Sequence, residues 1–80
     1  MTQAQKLARE LNTLAASSQF SNSKARAAAR GNADVDWPRT KARNEDFNAE
    51  VDGCESFAMR DGSVCEWVSG TYKYVARPAG

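Results

Sequence analysis

The sequence predicts an α+β domain: two or three N-terminal helices, then a three-stranded antiparallel β-meander, with the first helix packed on one sheet face. Three observations lead there. Apolar residues recur at helical spacing near the start of the chain. Two dipeptide turn signals, Asp61-Gly62 and Ser69-Gly70, divide the last third. The stretch over residues 54–77, CESFAMRDGSVCEWVSGTYKYVAR, holds four of the seven aromatic residues and both cysteines. With 80 residues, the chain makes one small domain that buries only about 60% of its unfolded surface. Its helical part covers residues 1–53 and its meander residues 54–77.

The first helix is expected over residues 2–18. Ala4, Leu7, Leu11 and Leu14, with Ala8 and Ala15, fall on one stripe. Thr2 is placed to cap it, and Lys6, Arg9, Glu10 and Asn12 fill the outer face. Ser21-Asn22-Ser23 then offers a second cap. Residues 24–30, KARAAAR, form a short helix that Gly31 is placed to end at the left-handed position. Residues 32–36 read as a loop. Pro38 suits a first helical turn, so a third helix is expected over residues 38–51, with Phe47 and Val51 one turn apart. Asn44 offers an alternative, shorter start, and Gly53 closes the helical part.

In the meander, two-residue turns at Asp61-Gly62 and Ser69-Gly70 pair Met59 with Val64, Phe57 with Glu66, Trp67 with Tyr72 and Glu66 with Lys73. One face then carries Phe57, Met59, Val64, Val68 and Val75. The other carries Trp67, Tyr72 and Tyr74 over small residues. A chain this short shelters one face only. The aliphatic face is the expected core, which leaves the aromatic face open.

Composition narrows the function classes. The chain has no His, so the commonest general base and nitrogen metal ligand are missing. Two cysteines ten residues or so apart do not complete a zinc site, and no glycine-rich loop opens a helix to cradle a phosphate. No enzyme, metal or cofactor is expected. The pair Cys54 and Cys65, about four strand positions apart in this register, is expected as two reduced thiols. No apolar run is long enough for a membrane span or signal-peptide core, which makes the cytoplasm the expected location.

Binding remains. Trp67, Tyr72 and Tyr74 are residue types that dominate protein interfaces. Lys24, Arg26, Arg30, Arg39, Lys41 and Arg43 offer phosphate contacts to nucleic acid. Net charge is only +1, yet residues 1–44 carry +5 and residues 45–80 carry −4. The acidic group Glu45, Asp46, Glu50, Asp52, Glu55 and Asp61 is a further candidate surface for a basic partner. A homodimer through Leu7, Leu11 and Leu14, or through edge strands, is a third possibility.

With its Ala/Arg-rich helices and terminal meander (DGSVCEWVSGTYKYVA), the chain resembles small accessory proteins of phages and mobile elements, the anti-CRISPR proteins among them. The resemblance implies a stoichiometric inhibitor in the host bacterial cytoplasm. Its partner would be a bacterial nuclease or surveillance complex such as a CRISPR effector. The alternative expectation is a nucleic-acid-binding accessory protein that uses the basic helical segment.

Overall fold

Thr2 and Gln5 start the first helix. The Thr2 hydroxyl accepts from the Gln5 N–H at 3.1 Å, and the Gln5 side chain accepts from the Thr2 N–H at 2.7 Å. This reciprocal box satisfies two of the donors that a helix start leaves open. In the computed structural model, which describes residues 1–16, 21–43, 56–68 and 73–78, α1 spans Gln3–Ala15, α2 Asn22–Arg30 and α3 Trp37–Arg43. The strands β1 (Ser56–Ala58), β2 (Val64–Val68) and β3 (Lys73–Arg77) form an antiparallel sheet in the order β1-β2-β3. The α+β architecture is the expected one, with α1 lying on β3 and β2.

The remaining α1 donors go to a hairpin 58 residues away. Asp61 Oδ2 accepts from the Gln3 N–H at 2.9 Å, and Gln3 returns the contact by accepting from the Asp61 N–H at 2.8 Å. Ser63 Oγ accepts from the Ala4 N–H at 3.1 Å and donates to Asp61 Oδ1. The β1–β2 turn is thus a second cap on α1, and it places a carboxylate at the positive end of the helix dipole.

That turn differs from the expected one by a residue. The loop is Arg60-Asp61-Gly62, closed by Met59 N–H to Ser63 O at 2.9 Å and Gly62 N–H to Met59 O at 3.0 Å. Gly62 takes a φ of 92°, as the last residue of a three-residue hairpin loop requires. The register becomes Ser56↔Glu66, Phe57↔Cys65 and Ala58↔Val64. This one-residue shift moves Phe57 to the side of Cys65 and Trp67. The second hairpin pairs Glu66↔Val75, Trp67↔Tyr74 and Val68↔Lys73, two residues from expectation. An even shift changes partners and keeps faces. The Ser69-Gly70 turn, Tyr72, Cys54 and the expected helical residues from Asn44 to Gly53 lie outside the described residues, as do residues 17 and 18 of the first helix.

The core therefore lies on the aromatic face, contrary to expectation. Leu7, Leu11, Phe57, Met59 and Cys65 are fully buried, and Tyr74 nearly so. The reason is electrostatic. In the observed register the other face carries Glu66, Lys73 and Arg77 among its valines, and burying three charges costs far more than burying aromatic rings. The narrow α1 stripe of two leucines and two alanines also leaves room for large partners. Glu66 pairs with Arg77 at 3.1 Å instead of with Lys73. With both side chains exposed, this pair contributes about 1 kcal/mol at most.

Both other helices depart from expectation in detail. Ser21 caps α2 by accepting from the Lys24 N–H at 3.3 Å. Gly31 ends it with a φ of −80° in place of the left-handed cap. The last turn tightens instead, through Gly31 N–H to Ala28 O and Asn32 N–H to Ala29 O. Asp36 caps α3 through the Arg39 N–H at 3.2 Å. The loop before α3 is partly extended: Val35 bridges Met59, with Asp36 N–H to Ala58 O and Arg60 N–H to Asp34 O, both at 2.8 Å. Thr40, fully buried, completes this edge. Its hydroxyl accepts from the Ala58 N–H at 2.9 Å and donates to the Ala58 carbonyl at 3.3 Å.

Replacing Thr40 by Val leaves the Ala58 N–H buried without its acceptor. Chemical denaturation is expected to show a loss of about 1–3 kcal/mol, most of it restored by Thr40→Ser. Asp61 gives a pH signature. The Ser63 hydroxyl, then the Gln3 and Ser63 N–H groups, hold its carboxyl below the usual carboxylate range. A group depressed on folding stabilises above its unfolded pKa and loses that contribution as pH falls through the folded value. Wild type is therefore expected to melt above Asp61→Ala at neutral pH, with the gap narrowing below about pH 4. A gap of constant width down to strongly acidic pH would exclude the assignment.

Candidate functional site

The structure separates the two groups of candidate residues. Of the aromatic group, Tyr74 and Trp67 pack into the core cluster, and Tyr72 lies outside the described residues. Tyr74 is 3% exposed, meets Trp67 edge-on at 5.0 Å between centroids and lies tilted against Phe57 at 6.3 Å. Trp37, from α3, meets Phe57 edge-on at 6.2 Å. Trp67 and Trp37 are half-buried against this cluster. The four rings form a row along the core, so Tyr74 is unavailable to a partner and Trp67 is partly committed to the fold. Most of the leucine stripe is likewise committed to the core. Leu7 and Leu11 have no exposed surface, and Leu14 alone of the three stands out at 37%.

The basic group faces outward. Lys24, Arg30, Arg39, Lys41 and Arg43 are exposed and Arg26 is half-buried. Their supports differ. Helix α2 rests on α1 through the fully buried Ala25 and Ala29, and α3 rests on β1 through Thr40. Within each helix the spacing sets two arginines side by side, Arg26 with Arg30 and Arg39 with Arg43. Arg43 also donates from Nε to Ser56 Oγ at 3.1 Å. Asp36, three residues before Arg39, is engaged as the α3 cap. All eleven Lys/Arg fall among the described residues, against five of the ten Asp/Glu. Five acids of the candidate acidic surface lie between residues 45 and 55, outside them, and its sixth member, Asp61, is the α1 cap.

Among the described residues no three His, Cys, Asp or Glu side chains cluster as a metal site, and no helix is long and apolar enough to cross a membrane. Cys65 is a buried free thiol whose pKa desolvation pushes up to about 12, which removes its nucleophilic form near neutrality.

Reasoning from sequence missed the polar side chains that bind backbone across the fold: Asn12, Thr40, Asp61 and Ser63. Their partners lie 18 to 62 residues away, and no local pattern marks them. Asn12, expected on the outer face of α1, turns to β3 instead. No protein-family model matches this chain, and no curated protein or solved structure matches it either.

The burial of the aromatic row has a direct test. Trp67→Ala is expected to lower stability by about 2–4 kcal/mol, read by denaturant unfolding, with Trp67→Phe recovering more than half. A variant as stable as wild type would return Trp67 to the list of binding residues.

Proposed function

We propose that this protein acts by binding, without turnover, and that its partner is anionic, nucleic acid first. The observation that carries this reading is the arginine pair Arg39 and Arg43, exposed one turn apart on α3, with Arg30 exposed on α2. Like charges one turn apart cost an isolated helix about 0.2–0.5 kcal/mol per pair. A phosphate group set between two guanidinium groups converts that repulsion into charge-assisted hydrogen bonds. Exposed Lys24 and Lys41 extend the cationic surface on each helix.

A second reading keeps the protein as a small phage-type inhibitor, similar in style to anti-CRISPR proteins, bound to a bacterial nuclease or surveillance complex. Its surface is then the outward sheet face and not the aromatic row. The half-buried Val68 and Val75 lie there among Glu66, Lys73 and Arg77, an apolar strip with a charged border of the kind that interfaces use.

Binding to single-stranded and duplex oligonucleotides across a salt series tests the first reading. The expected result is an affinity that falls steeply with salt, with the log–log slope reduced by up to about 2 in Arg39→Ala/Lys41→Ala. Absence of binding at low salt would end that reading. Retention of a protein partner, lost on Val68→Asp, would then carry the second.

A further inference from the structure

The two edges of the sheet are closed in different ways. On the β1 side a backbone segment, residues 34–36, pairs with the strand end and Thr40 fills the next position. On the β3 side no strand follows among the described residues. There the Asn12 side chain stands in for one. Its Oδ1 accepts from the Tyr74 N–H at 2.7 Å and its Nδ2 donates to the Tyr74 carbonyl at 3.0 Å. A primary amide offers one donor and one acceptor side by side, as the backbone of a paired residue does in an antiparallel ladder.

We propose that Asn12 is a guard that stops β3 from pairing with the β3 of a second copy. The register of the blocked contact follows from the strand. Tyr74 turns its backbone groups away from β2, and two residues on Ala76 does the same. The antiparallel contact that engages both of these residues in each copy pairs Tyr74 with Ala76 of the other, and the reverse, around a central Val75. That arrangement sets Lys73 opposite Arg77, both exposed, on each side of the centre. Like charges directly opposite repel, so the edge has two barriers: an occupied hydrogen-bonding position and a cationic clash. Charged residues at exposed sheet edges serve this end generally.

The two barriers separate experimentally. Wild type, Asn12→Ala, Lys73→Glu and Asn12→Ala/Lys73→Glu are compared by sedimentation velocity from micromolar to millimolar concentration at low and high salt. Circular dichroism checks that each is folded. Wild type and Lys73→Glu are expected to stay monomeric. Asn12→Ala is expected to dimerise only at high salt, which screens the clash. In the double variant the Lys73→Glu change sets a carboxylate opposite Arg77 of the other copy. It is expected to dimerise at low salt at least tenfold more tightly than Asn12→Ala. Adding Ala76→Pro, which removes the outward N–H donor, is expected to abolish that dimer. A folded double variant that stays monomeric overturns the proposal, as does a dimer indifferent to Ala76→Pro. If Asn12→Ala and Asn12→Leu both fail to fold, Asn12 is a brace of the fold and the proposal also falls.

Discussion

The turn Arg60-Asp61-Gly62 sets two things at once, and the rest of the structure follows from them. Its length fixes which residue of β1 faces which residue of β2. Because it holds three residues, Phe57 joins Cys65, Trp67 and Tyr74 on one side of the sheet. Its Asp61 carboxylate, with Ser63, meets the first N–H groups of α1 and so fixes where the helix begins over that side. Neither effect alone makes a core. A helix seated over the charged face, or an aromatic row with nothing above it, would leave the domain without enough buried apolar surface for its size.

Much of this was legible. The α1 stripe, the Thr2 cap, the α2 segment and the existence of three strands follow from periodicity and turn chemistry. The register did not, because Asp61-Gly62 fits a two-residue turn and the end of a three-residue turn equally well. The two forms differ in pairing by one residue, and one residue exchanges the faces of β1. The decisive signal was nonetheless in the sequence. Lys73, Val75 and Arg77 alternate on β3, and a face with charges at both ends of the strand is a poor core. Weighing charge on each face before counting valines points to the aromatic side as the buried one.

For the candidate site the balance is reversed. The basic residues of α2 and α3 were visible as a run, and the structure leaves five of the six exposed. Of the more conspicuous aromatic residues, Tyr74 is buried and Trp67 half-buried in the core cluster. Aromatic residues on a strand do not declare whether they face a partner or a helix. What decides it is which face the helix covers. Functional weight thus passes to the exposed cations of α2 and α3, among them Arg30, Arg39 and Lys41.

Cys65 shows what this packing implies for chemistry. The thiol sits on the central strand beneath α1, with no exposed surface, and burial keeps it protonated far above neutral pH. An alkylating reagent reaches its sulfur only when the sheet separates from the helix, an event that also breaks the aromatic row. The sulfur is therefore a built-in timer: the rate at which it is modified measures how often α1 and the sheet part.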